Sequence, residues 1–165
     1  MKLFGGAITA DIPQTLLDAS DLREVPDHQE VFVGTTNSQN ASLIVELLEP
    51  IDKPTILECL TAHVEELHSV SNTDGAELRT SVESEHCILN QHETQIRLDL
   101  LTKGNKTTNI IFALFKLQKF HTDVLITCTL EEKVGDTIGI DSQFKVVRDI
   151  VSTFKVHDPS LFVNH

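Results

Sequence analysis

The sequence predicts an α+β fold in which a mainly antiparallel sheet of about six strands is sandwiched between α-helices. A segment at 95–101 alternates apolar residues with Arg97 and Asp99, which is the period-two pattern of a strand with one buried face. A second segment, at 109–117, is nearly all apolar, as a central strand covered on both faces would be. Strands and helices do not alternate regularly along the chain, so the sheet should be antiparallel.

Six segments have the composition and apolar patterning of strands. They are residues 30–36, 43–48, 78–88, 95–101, 109–117 and 124–130. Turn sequences rich in Asn, Asp and Gly follow at 72–75, 103–105 and 135–137.

Two segments have the apolar periodicity of helices that would cover the sheet. The first runs over 54–68, where Thr55 and Glu58 have the spacing of a capping box. The second opens with Asp141 or Ser142 as N-cap. Its apolar stripe consists of Phe144, Val147, Val151 and Phe154.

The length of 165 residues predicts one domain over 1–165. The sequence contains no run of about 18 apolar residues, the length that a helix needs to cross a bilayer. The first residues lack the apolar region of a secretory signal. The cysteines are Cys59, Cys87 and Cys128; an odd number of widely spaced thiols is typical of a reducing compartment such as cytosol or nucleus.

The charge balance predicts a basic protein as partner. The chain carries 25 acidic and 13 basic side chains, a formal net charge of −12. Nucleic acids and anionic membranes would repel such a chain, so neither is expected to bind it. The plainer alternative is that the excess acid only keeps the chain soluble.

The acidic residues are concentrated near the amino terminus. Between positions 11 and 30 the only Lys or Arg is Arg23. The acidic residues of this segment are Asp11, Asp18, Asp21, Glu24, Asp27 and Glu30. Apolar anchors such as Val25 and a turn at Pro26 should hold Asp27 and Glu30 outward in a fixed arrangement, which loses less entropy on binding than a flexible one. A solvated turn without a partner is the alternative.

Motifs for nucleotide or metal binding are incomplete. Gly5-Gly6 lacks the further glycine or Lys-Ser/Thr of a phosphate-binding loop, so a tight turn is expected. His86, Cys87 and His92 form the densest group of candidate metal ligands, but their spacing matches no zinc motif. We expect no cofactor and no metal.

Catalytic residues are equally hard to assign. Cys59, His63 and Asp52 could form a nucleophile, base and acid on paper. Cys59 falls beside the apolar stripe of the first predicted helix, however, and no Gly-x-Ser-x-Gly elbow occurs. A cryptic hydrolase or metal site remains the enzymatic alternative.

Five stretches of the chain form a recognisable set: residues 3–8 (LFGGAI), 18–31 (DASDLREVPDHQEV), 42–49 (SLIVELLE), 117–125 (LQKFHTDVL) and 157–162 (HDPSLF). Together they resemble the Mog family of small Ran-binding proteins. They occur in family order across nearly the whole chain. The resemblance implies a Mog/PsbP-like α/β/α sandwich without a catalytic centre.

The resemblance also implies a function. Members of the family bind the small GTPase Ran, promote release of its guanine nucleotide and support nuclear protein import. The family's Ran-contacting acids map onto Asp27 and Glu30, and we place Asp18, Asp21 and Glu24 at the edge of the same surface. We expect a non-enzymatic monomer, present in nucleus and cytoplasm, with other nuclear transport factors as further candidate partners. A scaffold of the same fold that binds a different basic protein is the remaining alternative.

Overall fold

A computed structural model describes residues 1–21, 24–36, 39–71, 77–131 and 140–162. The strands are β1 Lys2–Leu3, β2 Ile8–Thr9, β3 Leu16–Asp18, β4 Gln29–Thr36, β5 Gln39–Leu48, β6 Glu77–Leu89, β7 His92–Lys103, β8 Lys106–Leu117, β9 Thr122–Glu131 and β10 Lys155–Val156. The helices are α1 Ile56–Ser71 and α2 Ile140–Thr153. Short 3₁₀ helices cover Phe4–Gly6, Ala19–Asp21, Gln118–Phe120 and Pro159–Phe162.

The main sheet has seven strands in the order β3-β4-β5-β9-β8-β7-β6, and every neighbouring pair is antiparallel. All six predicted strands are confirmed as β4 to β9, each somewhat longer than predicted. The additional strand is β3, a three-residue edge strand beside β4. The predicted antiparallel α+β class is therefore correct.

Helices α1 and α2 cover opposite faces of the sheet. Alternate residues of β8 point to opposite faces, so one set packs on α1 and the other on α2. One buried cluster joins β8 and β9 to α1 and contains Ile56, Cys59, Leu60, Val64, Ile110, Phe112, Leu114 and Leu125. The other involves α2 and includes Ile111, Ala113, Phe115, Phe144, Val147 and Val151. The prediction that β8 is covered on both faces is thus confirmed. In the described residues, neither helix is long and apolar enough to cross a bilayer.

Both helix starts differ slightly from the predictions. Helix α1 begins at Ile56, and the Oγ1 atom of Thr55 accepts a hydrogen bond from the backbone N–H of Glu58 at 3.2 Å, so Thr55 caps the helix as its spacing predicted. Helix α2 begins at Ile140, which places Asp141 in the first turn. The prediction that Asp141 or Ser142 is the N-cap was therefore wrong. The carboxylate of Asp141 instead accepts a hydrogen bond from Arg148 at 2.7 Å.

The polar side of β7 is less exposed than its alternation suggested. The Asp99 side chain has no exposed surface, although a solvent-facing position was expected. Arg97 binds it through two hydrogen bonds, Nε to Oδ1 at 2.6 Å and a terminal nitrogen to Oδ2 at 3.0 Å. A paired carboxylate can be buried in this way because its charge and hydrogen-bonding capacity are satisfied locally.

A second, three-stranded sheet joins the two ends of the chain. Strand β2 pairs antiparallel with β1 on one side and with β10 on the other. The backbone N–H groups of His157 and Asp158 donate hydrogen bonds to Ala7 O at 2.7 and 3.2 Å. The amino-terminal turn and the carboxy-terminal 3₁₀ helix are thereby held close together.

Gly34 allows β3 to approach β4. Residue Leu16 pairs with Gly34, and a Cβ atom at this position would overlap with the carbonyl oxygen of Thr15. The backbone N–H of Thr35 donates to the same oxygen at 3.4 Å. A side chain at residue 34 would therefore push β3 away from the sheet.

We predict that Gly34→Ala lowers the free energy of unfolding by about 1–3 kcal/mol, the usual cost of forcing an extra atom into a packed site. Denaturant unfolding followed by circular dichroism measures it. The control is Gly104→Asn, where φ is +61° and no atom lies within 4 Å of a Cβ, so Asn should be tolerated. Equal stability of Gly34→Ala and the wild type would contradict the close approach.

Candidate functional site

The predicted acidic residues lie at one end of the main sheet. Asp18 ends β3, Asp21 ends the 3₁₀ helix Ala19–Asp21, Glu24 and Asp27 lie in the segment leading to β4, and Glu30 lies in β4 itself. The side chain of Asp21 lies outside the described residues. We refer to Asp18, Glu24, Asp27 and Glu30 as the acidic corner.

Three carboxylates of the acidic corner line one cavity of about 400 Å³. They are Asp18, Asp27 and Glu30, while Glu24 is exposed outside the lining. Phe4, Gly5 and Leu161 also border this cavity, which we call the acidic cavity. The structure thus brings together three of the five predicted residues around a shared space.

The three carboxylates differ in how firmly they are held. One oxygen of Asp18 accepts the backbone N–H of Ser20 at 2.8 Å, so this exposed side chain also shapes the turn after β3. Asp27 is exposed, and no hydrogen bond or ion pair to its carboxylate occurs among the described residues. Asp27 is therefore the carboxylate of the cavity that is most available to a partner.

The Glu30 side chain is half-buried. The expectation that it points into solvent, as Asp27 does, is therefore only partly correct. The Oε1 atom of Glu30 accepts the backbone N–H of Phe4 at 2.6 Å, so it also fixes the amino-terminal turn. Burial raises the pKa of Glu30 above its ordinary value of 4.5; the hydrogen bond from Phe4 opposes this shift, and the charge of Asp18 adds to it.

A second cavity of about 700 Å³ adjoins the acidic cavity. Asp27 and Leu161 line both. The walls of the second cavity include Leu47, Leu48, Leu161 and Phe162, with Asp27 and Glu49 among its charged residues. We call this second cavity the apolar groove.

A buried polar network lies behind the groove. Asp123 is fully buried, its Oδ2 atom is 2.7 Å from His63 Nε2, and Lys116 donates to its two oxygens at 2.8 and 3.1 Å. Ile51 joins through both backbone groups: its N–H donates to Asp123 at 3.1 Å, and its carbonyl accepts from Lys116 at 2.9 Å. The network therefore anchors the segment that follows Glu49 to β8, β9 and α1.

The same network shows that Cys59, His63 and Asp52, the candidate catalytic triad from the sequence, do not come together. The acid beside His63 is Asp123, and the Cys59 thiol donates to Ile51 O at 3.1 Å. Cys59 and His63 are both buried. No substrate could reach them without opening the packing between α1 and the sheet.

The candidate metal ligands do not converge either. His86 lies 2.8 Å from a Glu93 oxygen on the surface, whereas the ring of His92 packs on Phe115 with centroids 4.9 Å apart. Burial raises the pKa of the Cys87 thiol, and the charge of Glu85 adds to this shift. Within the described ranges, no group of three or more potential ligands has a metal-binding arrangement.

Comparison with known proteins establishes the family. The family model described as "Ran-interacting Mog1 protein" matches residues 1–131. The chain belongs to the Mog1 family. It is similar to the nuclear import protein MOG1 of Saccharomyces cerevisiae, with 31% identity over 98% of this chain and 84% of the relative. It is also similar to the Ran guanine nucleotide release factor of Danio rerio, with 31% identity over 76% of this chain and 74% of the relative.

Solved structures agree with this assignment. The crystal structure of the S. cerevisiae Ran-binding protein Mog1p superposes with a TM-score of 0.81 and 28% identity, covering 98% of this chain and 96% of that one. Cyanobacterial PsbP from Synechocystis superposes with a TM-score of 0.54 and 14% identity, over 95% and 91% of the two chains. The PsbP likeness shows the fold alone. The predicted Mog/PsbP-like architecture is confirmed.

The groove and the network were not predicted from the sequence, although signals for both are present. Apart from Asp27 and His28, the residues that line the groove lie within the Mog1-like stretches at 42–49, 117–125 and 157–162, to which no role was assigned. For the network, the signals are Lys116 within the apolar run at 110–117 and Asp123 at the start of the next strand. An isolated charge in a buried strand generally requires a partner.

We predict that Asp123→Asn lowers the free energy of unfolding at neutral pH by about 3 kcal/mol, because it leaves Lys116 without its buried counter-charge. The control Asp149→Asn, in the exposed pair with Lys145, should change it by less than about 1 kcal/mol. Denaturant unfolding of both variants measures the difference. Equal effects would show that the network is dispensable.

The same variant should alter the acid dependence of stability. Burial alone would raise the pKa of Asp123, but hydrogen bonds from His63, Lys116 and Ile51, with the charge of Lys116, hold it below its ordinary value of 3.8. The ionised Asp123 carboxylate therefore contributes to the free energy of unfolding above pH 3.8. This contribution is lost as the pH falls below 3.8 and through the lower pKa of the folded state. The stability difference between wild type and Asp123→Asn should shrink in that acidic range; a constant difference would contradict the assignment.

Proposed function

We propose that this chain binds the GTPase Ran through its acidic corner and promotes release of the bound guanine nucleotide, in support of nuclear protein import. The observation that carries the proposal is that, in a chain of the Mog1 family, Asp18, Asp27 and Glu30 line one cavity and Asp27 has no partner among the described residues. We further propose that residues 1–165 act as one binding unit in nucleus and cytoplasm.

The acidic corner suits recognition of a basic protein surface. With a net charge of −12, the chain attracts a positively charged partner over a distance of about one Debye length, roughly 8–10 Å at moderate salt. Short contacts then depend on carboxylates whose positions are already set. Asp18 and Glu30 are held by hydrogen bonds to Ser20 and Phe4, so ordering them on binding costs little entropy.

Nucleotide release follows from differential affinity. A protein shifts the equilibrium of its partner only if it binds one state more tightly than the other. A factor that favours nucleotide-free Ran must in turn bind less tightly when nucleotide is present, by the same factor. Carboxylates can produce this preference by pairing with basic side chains that otherwise support the phosphates. This role requires no covalent chemistry, so the proposed protein is a regulator and not an enzyme.

We predict that Asp27→Lys weakens Ran binding at least about tenfold, because it replaces an attractive charge with a repulsive one at the interface. The matched control is Glu65→Lys, which makes the same charge change at an exposed site on α1. Binding measured by calorimetry at several salt concentrations should separate the two variants. Equal weakening by both would attribute binding to net charge and contradict a localised site.

Glu30 allows a finer test, because it combines a charge with a structural hydrogen bond. Glu30→Gln keeps an oxygen that can accept the Phe4 N–H and removes the charge, whereas Glu30→Ala removes both. We predict that the Gln variant melts no lower than wild type, that the Ala variant melts lower, and that both bind Ran less tightly. If Glu30→Gln bound Ran as tightly as wild type, Glu30 would act only by positioning the turn.

The nucleotide-release step is tested with purified Ran loaded with a fluorescent guanine nucleotide. The release rate should rise with the concentration of this protein, and the gain should fall as salt is added, because the contacts are between charges. If this protein bound Ran to saturation but the nucleotide left no faster, it would be a Ran-binding protein and not a release factor.

A further inference from the structure

The apolar groove is not explained by the acidic corner. Its walls contain Leu47 and Leu48 from the end of β5 and Leu161 and Phe162 from the last 3₁₀ helix. All of the residues that line the groove and the acidic cavity come from the five Mog1-like stretches, 3–8, 18–31, 42–49, 117–125 and 157–162. The parts of the sequence that mark the family therefore converge on two adjoining cavities.

The carboxy-terminal wall is held by several independent contacts. The ring of Phe162 stacks on that of Phe120, with centroids 4.5 Å apart and planes inclined by 10°. One oxygen of Asp158 accepts hydrogen bonds from Ser160 N–H at 3.0 Å and Ser160 Oγ at 2.6 Å. The turn at Asp158 is itself bonded to Ala7 O. This wall has a defined shape before any partner arrives.

The wall formed by the end of β5 is also held by hydrogen bonds. The backbone N–H of Leu47 donates to His28 O at 2.9 Å, which ties the end of β5 to the residue that follows Asp27. Beyond Glu49, the chain is anchored at Ile51 by Lys116 and Asp123. A groove with two fixed walls loses little conformational entropy when it is filled.

The lining of the groove defines what it can bind. The groove has an apolar wall bordered by two carboxylates, and its other polar residues are His28, His121 and Thr122. This lining suits an apolar side chain that lies next to a positive charge. Asp27 and Glu49 supply the carboxylates, and Asp27 also belongs to the proposed Ran-binding corner. Binding surfaces commonly have this organisation, with an apolar anchor at the centre and polar groups around it.

We propose that the apolar groove is the second half of the Ran interface and accepts an apolar side chain of Ran that neighbours a Lys or Arg. This proposal rests on the proposed function and adds the anchor that the charged contacts lack. The shared residues Asp27 and Leu161 make the two cavities one continuous surface. Charges steer the two proteins together, and the groove slows their dissociation.

Leu48→Ala and Leu161→Ala test the groove, because each removes apolar contact without changing charge. Each should weaken Ran binding about tenfold, as expected for an anchor contact. The weakening should be the same at about 50 and about 500 mM salt, since apolar contacts are not screened. The matched control Leu57→Ala, at an exposed site on α1, should bind as wild type does. Thermal melts establish that each variant is folded.

Glu49→Lys tests the neighbouring positive charge. Its effect should be about tenfold at low salt and should decline as salt rises. Together, the leucine variants give a loss of binding that is independent of salt and the glutamate variant gives one that depends on salt, a difference that loss of folding would not produce.

Three outcomes separate this proposal from the proposed function. Absence of Ran binding by wild type would overturn both. Binding that Asp27→Lys weakens but that neither leucine variant changes would overturn only the groove. Dimers of this chain alone, seen by analytical ultracentrifugation and dissociated by Leu48→Ala, would assign the groove to a second copy and overturn its proposed occupant.

Discussion

The pairing of β2 with both β1 and β10 is the constraint on which the site depends. It joins the first ten residues to the last part of the chain and places the 3₁₀ helix Pro159–Phe162 next to the acidic corner. Leu161 borders both cavities as a result. The hydrogen bond from Phe4 to Glu30 then links this small sheet to β4 of the main sheet. The proposed interface is therefore built from distant parts of the sequence.

Charge has two different roles in this protein. Inside the fold, Asp99 and Asp123 are fully buried and are satisfied by Arg97 and by His63 with Lys116. At the acidic corner, within the part of the chain that the structure describes, the Asp27 carboxylate has no partner and Glu30 accepts one hydrogen bond, from Phe4. Buried carboxylates hold elements together, whereas exposed ones with few internal partners can pair with another protein. The distinction depends on the position of the side chain and not on the local sequence.

Long periodic elements could be predicted from the sequence because their signal is local. Strands β4, β5, β7, β8 and β9 and both helices bury regular sets of apolar residues, so their patterns are visible without the fold. Strands β1, β2, β3 and β10 were missed, since two or three residues show no period and are held only by remote partners. The exposed Leu17 even weakens the alternation of β3. The grouping of Asp18, Asp27 and Glu30 was predicted, but the Phe4 contact and the groove bring together residues that are far apart in the sequence.

Hydrogen–deuterium exchange of this protein with and without Ran maps the proposed interface without any substitution. Exchange should slow on binding in residues 18–30, 47–49, 121–122 and 159–162, with α1 and the edge strand β6 unchanged. Protection confined to α1 or β6, with exchange in 18–30 and 159–162 unaffected, would contradict that interface.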